Sequence, residues 1–176
     1  MPDIATLPAT AAIGELSGLG RMSLRGGSQV LAVAGDAFGV QLPTEACRAA
    51  EGDARAALWL GPDEQLLLVQ QPDFERAFAA LAARLRGMPH ALVDISQRQV
   101  ALQVDGARAA DVLASGCPLD LHPSAFPVGM CTRTLFTKAQ IVLWRSAPNT
   151  FHIEVWRSFA RYVQQLLLDA AHELDP

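Results

Sequence analysis

The chain has 176 residues, of which 51% are apolar and 18% are charged, and its formal net charge is −4. A chain of this size and apolar content buries most of its unfolded surface, which excludes an intrinsically disordered protein. The acidic balance and the lack of a basic run argue against binding to nucleic acid or to an anionic membrane, and the longest uncharged apolar runs are far too short to span a bilayer.

The first half of the chain contains an irregular N-terminal segment, three strand-like runs and one helix. Residues 1–27 show no sustained periodicity, and we expect them to form an arm that is poorly ordered alone or docks on a partner. Apolar side chains recur at helical spacing over Asp73–Arg86, where Asp73 supplies a cap and Gly87 a stop. The strand-like runs are Gln29–Ala34, Ala56–Leu60 and Glu64–Gln70.

The second half repeats this order of strands followed by an amphipathic helix. Val100, Leu102 and Val104 alternate with other side chains, which predicts a strand with one buried face. A hairpin further on is expected to bring Trp144 near Trp156. The predicted elements are strands at Ala91–Ile95, Gln99–Val104, Thr132–Phe136, Ala139–Arg145 and Thr150–Trp156, a short helix at Ala107–Ser115, and a last helix capped by Ser158. The apolar stripe of the last helix consists of Phe159, Val163, Leu166, Leu167, Ala170 and Leu174.

These elements predict an α+β fold in which antiparallel sheets carry helices on one face. We divide the chain into an N-terminal arm (1–27), a first α+β half (28–90) and a second α+β half (91–176), which together form one compact globular unit. The two halves follow a similar order of elements, although the sequence identity between them is too low for a sequence repeat.

The three cysteines indicate the compartment. Cys47, Cys117 and Cys131 are odd in number, widely spaced and form no C-x-x-C pair, so we expect a reduced, cytoplasmic protein whose thiols act as small apolar side chains. The N-terminal residues also lack the basic and apolar regions of a secretion signal.

Reactive residue types gather in the loop Cys117–Pro127, which contains Cys117, Asp120 and His122. A zinc site needs about four ligands at closer and more regular spacings, and neighbours in a proline-containing loop point in different directions, which does not favour a nucleophilic site. No glycine-rich run extends to a dinucleotide-binding or phosphate-binding motif. We therefore expect no catalytic residue, no metal site and no cofactor in this chain.

Polar side chains stand at several strand ends, and the most prominent are Asp94, Arg98 and Arg133. One interpretation makes them contacts for a carboxylate or phosphate, because arginine binds such groups with two parallel hydrogen bonds. The interpretation that we favour is a structural set of ion pairs and hydrogen bonds near a sheet edge or a subunit interface.

A long ordered set of short motifs runs through the chain from about residue 56 to residue 174. Its most specific part reads G-C-P-L-D-L, then F-P-x-G, then R-T, and begins at Gly116. The matching runs are Trp59–Glu64, Val93–Val100, Val112–Leu121, Phe126–Gly129, Arg133–Leu135, Ile141–Arg145 and Arg157–Ala160. Together they resemble the γ subunit family of heterotetrameric sarcosine oxidase. Residues 1–50 match only loosely, and Gln65 stands where that family's pattern leads us to expect an aromatic residue.

The resemblance implies a subunit of a folate-linked flavoenzyme complex. Such a complex oxidises sarcosine with oxygen to glycine and hydrogen peroxide, and passes the methyl carbon to tetrahydrofolate. The resemblance places FAD, FMN, NAD and tetrahydrofolate on the large α and β subunits and zinc on the small δ subunit. It implies a fold similar to the folate-binding aminomethyltransferases, with two similar halves, and a structural role for this chain, which we expect to be inactive when isolated.

Two other functions stay open at this point. A free-standing folate-binding or one-carbon transfer protein would use an apolar pocket with a few polar groups, and Asp94 and Arg133 would be its first candidates. An adaptor for another complex is the second alternative. The sequence leaves open which surface meets which partner, the physiological substrate of the complex and the self-association of the isolated chain. We expect the arm and the loop Cys117–Gly129 to expose an apolar interface.

Overall fold

The computed structural model describes residues 11–174, in which the chain divides into two compact units. We name them by their place in the sequence: the central unit is Gly18–Gln97, and the terminal unit combines the described residues up to Ser17 with those from Arg98 onward. Each unit contains a five-stranded antiparallel sheet and two α-helices, so the predicted α+β class is confirmed. None of the helices within residues 11–174 has the length and hydropathy needed to cross a bilayer.

The strands and helices follow one another along the chain without long gaps. In order they are β1 (Ala12–Leu16), β2 (Leu19–Gly26), α1 (Ser28–Phe38), β3 (Ala49–Gly52), β4 (Arg55–Gly61), β5 (Glu64–Gln70), α2 (Phe74–Arg84), β6 (His90–Asp94), β7 (Gln99–Asp105), α3 (Ala109–Ala114), β8 (Cys131–Phe136), β9 (Ala139–Ala147), β10 (Thr150–Trp156) and α4 (Arg157–Glu173). A 3-10 turn at Gln71–Asp73 leads into α2.

In the central unit the strand order is β3-β4-β5-β2-β6, and α1 and α2 cover one face. The predicted strand Gln29–Ala34 is wrong, because this segment lies within α1. Val30, Leu31, Ala34 and Phe38 are buried at helical spacing, and Gly39 ends the helix with φ = 79°. A short apolar run fits either element by periodicity alone, and here packing against the sheet decides for the helix.

The helix predicted over Asp73–Arg86 is confirmed as α2, with Phe74 and Leu81 buried in the core of the central unit. Asp73 occupies the N-cap position but makes no capping hydrogen bond, because its carboxylate instead accepts from Arg76 at 2.5 Å. The buried stripe therefore holds the helix on the sheet without help from a cap.

In the terminal unit the strand order is β1-β7-β10-β9-β8, and α3 and α4 cover one face. The alternation predicted for β7 is confirmed, since Val100, Leu102 and Val104 all lie in the core between sheet and helices. Trp144 and Trp156 do not meet, because Trp144 pairs with His152 in the register of β9 and β10.

The last helix begins differently from the prediction. Its N-cap is Trp156 rather than Ser158, and no side chain caps it. Val163 and Leu167 are fully buried as predicted, whereas Phe159 is 40% exposed. The stripe is therefore shifted around the helix relative to the one read from the sequence.

The two units share one topology. In each, a strand and a helix precede a three-stranded meander, and a second helix follows it. Strand β2 of the central unit corresponds in this way to β7 of the terminal unit, and the edge strand β6 corresponds to β1. The difference is that β6 directly follows its helix along the chain, whereas β1 comes from the other end of the sequence.

The boundaries of the units differ from the expected division at residues 27 and 90. Residues 1–10 of the expected arm lie outside the described residues, but the rest of it forms β1 and β2. Strand β2 pairs with β5 on one side and β6 on the other, and β1 pairs with β7. The arm looked irregular because its partner strands are distant in the sequence, so no local period reveals them.

Candidate functional site

The loop that connects α3 to β8 is held in place by one buried arginine. Strand alternation puts Arg145 on the helix-covered face of its sheet, in line with the core residues Ile141 and Leu143. Its side chain is only 5% exposed. Since a buried guanidinium is costly unless its donors are satisfied, its hydrogen bonds account for its position.

The Arg145 guanidinium donates only to backbone carbonyls. It reaches the carbonyl oxygen of Leu121 at 3.2 Å and that of Phe126 at 2.9 Å, and it contacts the carbonyl oxygen of Pro148 through two nitrogens at 3.1 and 2.5 Å. Its Cζ also lies 5.0 Å from the centre of the Phe151 ring. These contacts tie the loop to the β9–β10 hairpin, and we call them the arginine clamp.

The inner side of the loop packs into the core of the terminal unit. Cys117, Leu121 and Phe126 are buried there, and the Phe126 ring lies 6.4 Å from that of Phe151. Close packing also explains Gly116, because a Cβ at this residue would lie 2.9 Å from the Phe136 ring. Most residues of the loop motifs noted in the sequence therefore pack within the loop or against the core.

The outer side of the loop borders an open cleft of about 480 Å³. Asp120 and His122 line it, together with Asp111 of α3. The Asp120 carboxylate accepts the backbone N–H of His122 at 2.9 Å, and the His122 ring lies 2.7 Å from the Ser124 hydroxyl. Both are contacts of a folded turn.

The structure does not assemble a nucleophilic or metal site from these loop residues. The Cys117 sulfur lies on the core side, 3.9 Å from the Thr134 hydroxyl, whereas the His122 ring is exposed and contacts Ser124. Across residues 11–174, no three histidine, cysteine, aspartate or glutamate side chains form a group that could hold a metal ion.

The three polar candidates named from the sequence have separate surroundings. The Asp94 carboxylate accepts the Ser96 N–H at 2.8 Å in the turn after β6, in the central unit. The Arg98 guanidinium lies 4.8 Å over the Trp156 ring. Arg133 is exposed on β8, and two strands separate β8 from the β7 strand that Arg98 precedes. This is about 14 Å across the sheet, so the two arginines do not form a common clamp for one small anion.

A buried histidine–glutamate pair was missed by the sequence reasoning. His152 Nε2 lies 2.8 Å from Glu154 Oε1, and these two residues are 6% and 0% exposed. Both lie on the sheet face opposite the helices, since Phe151 and Ile153 occupy the core. The Trp144 ring lies 5.6 Å from the His152 ring. The i, i+2 spacing on a predicted strand was the available signal, because it puts both side chains on one face.

The expected apolar interface is not centred on the loop Cys117–Gly129. Val128 is 50% exposed, but Leu121 and Phe126 belong to the core. The larger exposed apolar side chains of the terminal unit lie instead at the end of the sheet where β10 passes into α4. They are Leu135, Trp156, Phe159 and Tyr162.

Comparison with known proteins gives consistent matches over most of the chain. A family model described as sarcosine oxidase, gamma subunit family matches residues 26–173. The sarcosine oxidase subunit gamma of Corynebacterium sp. (strain P-1) is 34% identical over 148 residues, which cover 84% of this chain and 72% of that protein.

Two solved structures are also similar. A chain of the heterotetrameric sarcosine oxidase from Corynebacterium sp. U-96, in complex with pyrrole 2-carboxylate, superposes with a TM-score of 0.89 at 31% identity and covers 94% of this chain and 86% of that chain. The glycine cleavage system aminomethyltransferase T from Bartonella henselae has a TM-score of 0.71 at 17% identity, with 91% of this chain and 46% of that chain covered. The second likeness shows the fold alone.

Proposed function

The chain belongs to the sarcosine oxidase gamma subunit family, and from this premise we propose that it serves as a structural subunit of a heterotetrameric sarcosine oxidase. The observation that carries the proposal is the family match over residues 26–173, together with a 31% identical structural match to a chain of such an oxidase. The complex would oxidise sarcosine to glycine and hydrogen peroxide and deliver the methyl carbon to tetrahydrofolate.

The use that the chain makes of its family motifs supports a structural role. Three residues of the motif runs have structural contacts. Arg145 donates to the backbone carbonyls of Leu121 and Phe126, and the side chains of those two residues are buried in the core. Catalysis requires groups that touch the substrate or the cofactor, whereas these side chains and carbonyls contact one another. Asp94 and Arg98 likewise make local contacts, with Ser96 and Trp156, and we propose structural roles for these two and for Arg133.

The partners follow from the same premise. We propose that the chain assembles with α, β and δ subunits, and that FAD, FMN, NAD and tetrahydrofolate bind to the α and β subunits and zinc to δ. A reduced, cytoplasmic location is supported by Cys47, Cys117 and Cys131, none of which forms a disulfide.

Assembly tests this proposal directly. The four subunits are co-expressed with an affinity tag on the α subunit, and native mass spectrometry determines which subunits co-purify. We expect this chain to be present once per complex and to carry no flavin when purified alone, as judged by its visible absorbance. A chain that fails to join the complex, or that binds flavin stoichiometrically by itself, would contradict the proposal.

A binding measurement on the isolated chain tests the alternative of a free-standing folate-binding protein. Saturable binding of tetrahydrofolate to the isolated chain, measured by isothermal titration calorimetry, would favour a folate-binding protein. A loss of that binding in the Asp94→Ala or the Arg133→Ala variant would then locate the pocket. We expect no saturable binding to the isolated chain.

A further inference from the structure

Four of the most exposed large apolar side chains lie at one end of the terminal unit. Within residues 11–174, six such side chains are between 39% and 50% exposed, and Leu135, Trp156, Phe159 and Tyr162 are among them. We call these four the apolar patch. The other two, Val93 and Val128, lie elsewhere in the chain, on β6 and in the loop before β8.

Secondary structure places the members of the patch close together. Trp156 ends β10 and directly precedes α4, and Phe159 and Tyr162 are three residues apart on that helix, so they share a face. The Tyr162 hydroxyl lies 2.8 Å from the Thr137 hydroxyl, in the turn that follows β8. Leu135 stands near the end of β8, opposite Gln140 in the strand register and on the sheet face that the helices do not cover.

Two of the aromatic rings are held in fixed positions although they face solvent. The Arg98 guanidinium lies 4.8 Å over the Trp156 ring, and the hydrogen bond to Thr137 restrains Tyr162. Rigid tryptophan and tyrosine side chains are typical anchors of protein interfaces, because little conformational entropy is lost when they bind.

The segment of the chain that contains the patch differs in the sign of its charge from the whole chain. Residues 131–168 contain five arginines and lysines and one acid, a net charge of +4 by subtraction, whereas the chain carries −4. The single acid, Glu154, is fully buried. The exposed cations are Arg133, Lys138, Arg157 and Arg161.

We propose that the apolar patch is the surface by which this chain docks on a neighbouring subunit of the oxidase, and that the neighbour presents apolar side chains encircled by aspartates and glutamates. The proposal rests on the proposed function and specifies its interface. The anchors would be Trp156 and Phe159, with the surrounding cations steering the encounter and fixing its orientation.

The test uses the complete complex, assembled by co-expression with a tagged α subunit, and measures the dissociation constant of this chain by dilution and native mass spectrometry. We expect the Trp156→Ala/Phe159→Ala variant to bind at least about 30-fold more weakly, the loss of an interface hot spot. A second variant, Arg161→Glu, should associate more slowly and lose part of the salt dependence of the association rate.

Matched controls lie outside the patch. Val93→Ala truncates an apolar side chain that is also well exposed, and Arg84→Glu reverses an exposed charge on α2, the topological counterpart of α4. Both variants should bind like the unmodified chain. Thermal unfolding of each purified chain establishes that the variants fold. If the unmodified chain assembles and the patch variants bind as tightly as the controls, the docking surface is wrong and the proposed function stands. If the unmodified chain itself does not assemble, the proposed function and this interface are both overturned.

Discussion

The arginine clamp gives the sharpest prediction for stability. Arg145→Met retains most of the apolar stem and removes every guanidinium donor. The carbonyl oxygens of Leu121 and Phe126 then lose their charged donor in a buried setting, whereas Pro148 is exposed and its carbonyl can bond to water. An unsatisfied buried polar group costs about 1–3 kcal/mol. Two such groups lower the free energy of unfolding, and removal of a buried charge offsets part of this effect. We expect a net loss of about 3 kcal/mol.

Urea unfolding of the isolated chain measures this loss, and hydrogen exchange locates it. We expect the midpoint to fall and the amides of the loop Cys117–Gly129 to exchange faster than those of β9. Arg145→Lys should lower the free energy of unfolding by less, because lysine retains a charged donor. Some loss is still expected, because lysine lacks the planar set of donors of a guanidinium. Arg84→Met, at an exposed position on α2, should change the free energy of unfolding by less than about 0.5 kcal/mol. A loss below about 1 kcal/mol in Arg145→Met would refute the clamp.

Two further predictions concern packing. Leu167→Ala should cost about 2–5 kcal/mol, since Leu167 is fully buried, and Phe159→Ala should cost much less because Phe159 is 40% exposed; equal losses in chemical unfolding would mean that α4 is oriented differently. Gly20→Ala should destabilise by about 1–3 kcal/mol, because the new Cβ would lie 2.2 Å from the Phe74 ring. Gly14→Ala is the matched control, with no heavy atom within 4 Å of its Cβ, and a shift in melting temperature as large as that of Gly20→Ala would contradict this reasoning.

Local periodicity was sufficient for the elements whose pattern is long or strictly alternating. Helix α2 has an apolar stripe over three turns, and β7 alternates cleanly, so both were found. The short run at Gln29–Ala34 fits a strand or a helix equally well, and only its packing on the sheet reveals α1. Strands β1 and β2 were missed because their order comes from partners far away in the sequence.

The site was harder to predict than the fold, for a physical reason. The role of Arg145 depends on three backbone carbonyls. Every residue has such a carbonyl, so residue types do not show which ones will accept its hydrogen bonds. Residue types did single out Cys117, Asp120 and His122, but their directions in the folded loop separate the thiol from the imidazole. The motif resemblance supplied the family, which composition and periodicity alone did not contain.

The measurement that tests the central claim most directly is sarcosine-dependent production of hydrogen peroxide by complexes prepared with and without this chain. We expect no activity from the isolated chain, full activity from the four-subunit complex, and a loss of assembly or stability when only this chain is omitted, because a partner that binds the assembled state stabilises it. Turnover by the chain alone, or a complex that assembles, resists heating and turns over equally well without it, would contradict a structural role for this chain in the oxidase.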